Sequence, residues 1–263
     1  MGRLMSILAT LSVFLHVSSV AAEENSFSAI VASVKEAVVG VGTVDPIRRP
    51  QNELLGTGFA YGDGLHILTA RHVVYSRNVG AESAAVQLSI FVGDGDNAVI
   101  RKTEVVYEDS LYDVAILKIE GSPIPVLAMD DKGGLEDGIE VGFTGFPIGA
   151  AYGLYKATHR GIISATTPLA QPQRRKGHLS PEMILRLRQK RLVYQLDATS
   201  YPGNSGGPLF NAETGTVIGM ISSTYVHESK DASSKAPGGI TFAMPSPYLI
   251  EVWNRYQAVG SNP

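Results

Sequence analysis

Gly56-Thr57-Gly58-Phe59-Ala60-Tyr61-Gly62-Asp63-Gly64-Leu65-His66-Ile67-Leu68-Thr69-Ala70 reads as two extended segments folded about one turn. Gly62-Asp63-Gly64 supplies the flexible residues that a tight hairpin needs. The same style runs outward in both directions. Ala37–Val44 precedes it, and Ala85–Val92, Val99–Tyr107 and Val114–Ile119 follow, separated by Gly/Asp or acidic turns. Asp94-Gly95-Asp96-Asn97 reads as one of these turns, because Val105 stands where a calcium loop would need an acid. Gly121–Pro125 carries two prolines that would interrupt a ladder, so it reads as a connector. Beyond it, Ile139–Phe143, Tyr155–Ala165, Val193–Ala198, Pro208–Asn211, Val217–Thr224 and Ile240–Ala243 repeat the pattern. Many short β segments with turns between them predict an all-β sandwich or barrel, here in two units that meet near residues 121–135. Two helices are expected. Ser28–Ala37 has apolar residues near helical spacing, and Ser246-Pro247 reads as an N-cap with proline after it. Leu249, Ile250, Trp253 and Tyr256 then share one face of a closing helix.

Bulk composition suits a packed globular chain. Of 263 residues, 44% are apolar and 18% charged, and the net charge of -3 gives no general attraction to nucleic acid. Met1 to Arg3 is a short basic start, Leu4–Leu15 is almost continuously apolar, and Val20-Ala21-Ala22 precedes Glu23-Glu24. That order predicts a secretory signal peptide over residues 1–22, with an uncleaved anchor as the alternative. The expected organisation is then residues 23–125 as the first β unit and 126–263 as the second with its helix. There is no cysteine, which excludes thiol nucleophiles and cysteine-based zinc sites. An exported chain without disulfides must be held by core packing, and it suits a bacterial envelope, periplasmic or secreted.

The chemistry concentrates in Pro202-Gly203-Asn204-Ser205-Gly206-Gly207-Pro208-Leu209. A serine stands at the apex of a turn with glycines on both sides, before an apolar strand. Glycine there permits unusual backbone angles and leaves room for a substrate carbonyl. The N–H groups of Gly203 and Ser205 could converge there as an oxyanion hole. A serine needs a base, and His72 at the end of the strand Leu65–Ala70 is the best placed histidine. His66 lies in a strand body, and His159, His178 and His227 lie in or beside turns or the basic insertion. The base needs an orienting acid. Asp113 opens the apolar run Val114–Ile119, where a lone carboxylate would be costly to bury without a partner. Taken singly, His72 and Asp113 each have an ordinary structural explanation. Together the three occur in the order His, Asp, Ser, two in the first β unit and one in the second.

The segments Thr69–Val74, Asp113–Ile119 and Pro202–Leu209 resemble the trypsin-like serine proteases, and specifically the HtrA/DegP-type bacterial branch. Gly56-Thr57-Gly58-Phe59 and Gly239–Pro245 resemble that branch too. The resemblance runs from about Ala37 to Tyr248. It implies a chymotrypsin-like fold of two six-stranded antiparallel β-barrels, with the active site in the cleft between them, a short C-terminal helix and no cofactor or metal. It implies a serine endopeptidase acting on exported or misfolded proteins, with Ser205 as nucleophile, His72 as base, Asp113 as acid, and Gly203 and Ser205 as oxyanion donors. It places Thr199 at the base of the substrate pocket, Tyr201 beside it, and Ser222 on the bordering strand within reach of the acid. A neutral pocket base predicts a small or medium apolar residue before the cut.

Three departures qualify the resemblance. Asn204 stands where digestive trypsin-like enzymes carry an aspartate, so no maturation through a freed N-terminal amine is expected. The chain ends soon after its last helix, so no PDZ domain is expected. Gln171–Arg191 carries seven positive charges against Glu182 alone. It reads as a solvated loop or as a contact for an acidic partner or an anionic membrane surface. That insertion keeps a latent, binding or chaperone protein of the same fold as the alternative to an active protease.

Overall fold

A computed structural model describes residues 26–75, 86–147, 153–168, 191–222 and 240–260. The expected signal segment, His178, His227 and most of the basic insertion lie outside the described residues. Helix α1 (Phe27–Ala37) leads into six strands: β1 (Val38–Val44), β2 (Asn52–Tyr61), β3 (His66–Ala70), β4 (Gln87–Val92), β5 (Val99–Asp109) and β6 (Val114–Ile119). A short helix, α2 (Arg71–Tyr75), follows β3 directly. The second set is β7 (Glu140–Gly145), β8 (Ala157–Pro168), β9 (Leu192–Asp197), β10 (Pro208–Asn211), β11 (Val217–Ile221) and β12 (Ile240–Pro245), closed by α3 (Ser246–Gly260).

Each set forms a closed six-stranded barrel, the first in the order β1-β2-β3-β6-β5-β4 and the second β7-β8-β9-β12-β11-β10. The two orders are the same path traced twice, and every named pairing is antiparallel. The all-β, double-barrel expectation is therefore met. Closure leaves no open edge strand in either sheet, which protects both from pairing with other chains.

The β2–β3 hairpin behaves as its residues require. Gly62 and Gly64 adopt φ of 70° and 76°, and Leu65 N–H donates to Asp63 Oδ1 at 2.9 Å. Gly62 has a second reason to be glycine: a Cβ there would lie 2.5 Å from Trp253 Cζ2 of α3. Strand β2 begins at Asn52, earlier than the sequence pattern showed, because Asn52 and Glu53 pair with Val44 and Thr43 beyond a bulge at Val41/Gly42. Ser246 also departs from expectation. Its hydroxyl donates to the carbonyl of Asp130 at 2.6 Å instead of capping α3, because the connector between the barrels packs there. At α1, Ser26 does cap, accepting from Ala29 N–H at 3.2 Å.

The interior of the second barrel is apolar, with Val141, Phe143, Leu196 and Leu209 all fully buried. The larger core fills the first barrel and continues through Phe146, Phe210, Met220 and Met244 into the second. Phe27 of α1 stacks on Phe210 of β10 at 6.3 Å, so the leading helix reaches across to the second barrel. Among the described residues no helix is long and apolar enough to cross a membrane.

Candidate active site

Strand pairing brings His72 to Asp113. β3 and β6 run antiparallel with Ala70 opposite Val114, so the next residues outward are Arg71 and Asp113. Arg71 N–H donates to the Asp113 carbonyl at 2.9 Å, which extends the ladder by one bond. One residue further, His72 meets the Asp113 carboxylate twice. Its backbone N–H donates to Oδ1 at 2.9 Å, and its Nδ1 lies 2.6 Å from Oδ2. An ionised carboxylate only accepts, so Nδ1 carries a proton, and in the neutral ring the lone pair is then on Nε2. Ser222 Oγ approaches Asp113 Oδ2 at 3.5 Å from the end of β11.

Asp113 has φ of 55°, unusual for a residue with a side chain but tolerated by aspartate. The turn before it is built by Asp109, whose Oδ1 accepts from the N–H groups of Leu111 and Tyr112 at 2.8 Å each. Asp109 Oδ2 is in turn held by Arg255 of α3 at 2.7 Å. Asp113 is thus positioned by a second carboxylate and a helix from the far end of the chain.

Ser205 sits on the turn between β9 and β10 and is 6% exposed. Gly203 and Gly206 flank it with φ of 101° and 86°. A Cβ at Gly206 would collide with the Thr57 carbonyl and lie 2.5 Å from Thr69 Oγ1, so only glycine fits there. Within the turn, Asn204 N–H donates to Tyr201 O, and Gly207 N–H to Asn204 O, at 3.1 and 3.0 Å. Gly206 N–H donates to Ile221 O at 2.8 Å. Among the described residues no backbone carbonyl accepts from the Gly203 N–H.

The first barrel grips this turn through Thr57. Its N–H donates to Ser205 O at 2.9 Å, and its Oγ1 donates to Gly203 O at 2.6 Å. The same Oγ1 accepts from Phe146 N–H at 3.1 Å. Gly56 is a second close approach of the two halves, beside Gly206. A Cβ there would lie 2.6 Å from Val73 Cγ2 and 2.9 Å from Ser205 O. Val73 adjoins His72, so one glycine touches both the helix that carries the histidine and the turn that carries the serine. His72, Asp113, Ser205 and Ser222 therefore gather at the seam between the barrels. Tyr201 and Thr199 lie on the segment leading into the turn, both half-buried. Ser222 is only 1% exposed.

Three residues of this arrangement were not singled out from the sequence for these roles: Thr57, Asp109 and His159. Asp109 had a local signal, an aspartate opening a turn four residues before Asp113. Thr57 lies between two glycines in a strand, but its partner is 146 residues away. His159 is in the body of β8, and its Nε2 lies 3.3 Å from Asn204 Nδ2. Its ring stacks on Phe143 at 4.7 Å. Burial pushes its pKa below the usual histidine value.

The family described as trypsin-like peptidase domain matches residues 56–220. A probable periplasmic serine endoprotease, DegP-like, from Pseudomonas savastanoi pv. phaseolicola is 31% identical over 221 residues, covering 84% of this chain and 38% of that protein. A protein of the same description from Hahella chejuensis is 31% identical over 221 residues, covering 82% of this chain and 39% of its own length. The chain thus spans about two fifths of the curated relatives it matches. Among solved structures, the serine endoprotease from Yersinia pestis superposes with a TM-score of 0.61 at 26% identity, over 89% of this chain and 68% of that one. An HtrA-type protease, AlgW, with a tripeptide gives a TM-score of 0.60 over 87% and 62%, at 24% identity, which bears on the fold alone. With the family match spanning both barrels from the Thr57 strand to β11, the chain belongs to the trypsin-like peptidase domain family.

Proposed function

We propose that the chain is an endopeptidase that hydrolyses peptide bonds through an acyl-enzyme at Ser205. The observation that carries the reading is the double contact between His72 and Asp113. It fixes one tautomer and one ring orientation, leaving Nε2 as the basic atom. In this reading His72 Nε2 takes the proton of Ser205 Oγ as the oxygen attacks the scissile carbonyl. Negative charge then develops on the carbonyl oxygen, and the N–H groups of Gly203 and Ser205 receive it. His72 returns the proton to the leaving amine, and a water repeats the sequence to release the acid. Asp113 stabilises the imidazolium while it exists and remains ionised.

Thr57 holds the oxyanion turn from the first barrel. Thr199 and Tyr201 border the pocket, with Ser222 beside the acid. The uncharged side chain of Thr199 supports a small or medium apolar residue before the cut. The relatives are named periplasmic, and the amino-terminal pattern read as an export signal agrees with an exported enzyme acting on protein or peptide chains.

The test is labelling of the purified protein with a fluorophosphonate probe, with the modified residue mapped by mass spectrometry and Ser205→Ala as control. Labelling confined to Ser205, with cleavage of a peptide library after apolar residues, is the expected result. A folded protein that neither labels nor cleaves would point to the latent, partner-binding alternative.

A further inference from the structure

Asn204 separates the two oxyanion donors, and its side chain is fully buried at 0% exposure. Its amide nitrogen lies 3.3 Å from His159 Nε2, and its Oδ1 has no hydrogen-bond partner among the described residues. That oxygen faces Gly145, where an added Cβ would lie 2.7 Å from it. Among the described residues His159 is the one side-chain partner of this amide. The ring is itself held. It stacks on Phe143 at 4.7 Å and 18°, and Tyr201 of the approaching segment lies 6.0 Å away on a tilted plane.

We propose that His159 is a positioning residue for peptide hydrolysis: its unprotonated Nε2 accepts from the Asn204 amide and so holds the Gly203–Ser205 turn in the geometry that receives the oxyanion. The inference rests on the assignment of Ser205 as nucleophile. An amide N–H needs a lone pair opposite it, and Nε2 has one only while the ring is neutral. Protonation sets two donors face to face. The contact is then lost, or the amide turns over and disturbs its packing at Gly145. Burial disfavours the charged ring, which keeps it neutral to lower pH than an exposed histidine.

The titratable and charged groups around the ring are few. Tyr201 faces it from the nucleophile segment. On its own strand Arg160 is paired with Glu140 of β7 on an exposed face. From β9 the nearest carboxylate in register is Asp197, opposite Ile162 and not opposite His159. Among the described residues none forms an ion pair with His159, and burial is what lowers its pKa. A histidine that merely fills space would stack on Phe143 in the same way, but its protonation would leave the turn unmoved.

The deciding experiment follows backbone amide signals of Gly203 and Ser205 by nuclear magnetic resonance between about pH 4 and 8, across the histidine range. It is done in a His72→Ala background, so that the other imidazole at the site cannot contribute. Both amides are expected to shift with the midpoint of the His159 ring signals, and to lose that transition in His159→Gln. Turnover is the second readout. His159→Phe keeps the stacking and removes the acceptor, so kcat should fall about tenfold or more with KM within about twofold, a fraction of the loss from removing an oxyanion donor. His159→Gln retains an acceptor that does not titrate and should recover most of that loss. Amides that ignore the His159 transition, or a His159→Phe enzyme with unchanged kcat, would overturn the proposal. The amide titration needs no turnover. If Ser205 fails to label with a fluorophosphonate, the nucleophile assignment falls, while the titration still decides whether His159 holds the turn.

Discussion

Asp113 shows how much one residue is asked to do. Its backbone bends through a φ of 55° at the mouth of β6, and its two oxygens meet both nitrogen donors of His72. Asparagine tolerates the same backbone region and has the same shape, so Asp113→Asn isolates charge from geometry. The asparagine amide would present either a donor or a weaker acceptor to Nδ1. Histidine would then favour the other tautomer, with the proton on Nε2 and no base facing the serine. By analogy with other enzymes of this type, kcat is expected to fall about 10⁴-fold. The melting temperature should move little, because Asp109 and the ladder bond from Arg71 still shape the turn. Steady-state kinetics with thermal denaturation checks both halves. A variant within tenfold of the parent would remove Asp113 from the mechanism.

At the scale of elements, α3 is docked by polar and aromatic contacts that can be watched from one residue. Trp253 is the chain's single tryptophan. It meets Tyr61 and His66 edge-on, at 5.1 and 5.3 Å. Beside it the Tyr256 hydroxyl lies 2.9 Å from His66 Nε2, and His66 Nδ1 lies 2.8 Å from Asp63. Glu251 pairs with Arg255 and accepts from the Tyr112 hydroxyl at 3.0 Å. Burial alone would raise the pKa of Asp63, but hydrogen bonds from His66 and the Leu65 N–H outweigh it and leave it lowered. Burial likewise acts upward on Glu251, and Arg255 and Tyr112 outweigh it. A carboxyl group whose pKa is lower folded than unfolded stabilises docking fully above the unfolded value. That contribution is lost as pH falls through the folded value. Trp253 emission should therefore shift to the red below about pH 4, before the far-ultraviolet signal of the barrels is lost. A shift that coincides with global unfolding would show that these carboxyl groups do not govern docking. The elements themselves were largely legible in advance. All twelve strands have counterparts in the sequence pattern, because turn residues punctuate apolar runs. Less legible were element ends such as Asn52, where polar residues continue a ladder, and Ser246, whose hydroxyl is taken by the Asp130 carbonyl.

For the whole molecule, the site exists only where the barrels meet, and that seam is what local pattern cannot disclose. His72, Asp113 and Ser205 stood out because each sits beside a recognisable run or turn. Thr57, whose Oγ1 reaches Gly203 across 146 positions, and His159, which reaches Asn204 across 45, have partners that no local pattern marks. Closure of β1 on β4 and of β7 on β10 is equally nonlocal. Gly56 is one of the tight points of the seam. A methyl group there would lie 2.6 Å from Val73 Cγ2 and 2.9 Å from the Ser205 carbonyl oxygen, both well inside normal contact. Val73 can yield only by shifting α2, which carries His72, since it is 1% exposed and packed in the core. The Ser205 carbonyl can yield only by lengthening its bond from Thr57 N–H. Either response would move His72 and Ser205 relative to each other. Gly56→Ala is expected to cost about 1–3 kcal/mol of stability, as overpacking commonly does. Its effect on kcat should be larger in proportion, about 10²-fold, because a displacement on the order of 1 Å is enough to spoil an aligned attack. Fluorophosphonate labelling measured well below the melting transition separates the two effects. Slow labelling of a folded Gly56→Ala protein is the expected outcome, and labelling at the parent rate would mean that the two halves of the site adjust independently of this contact.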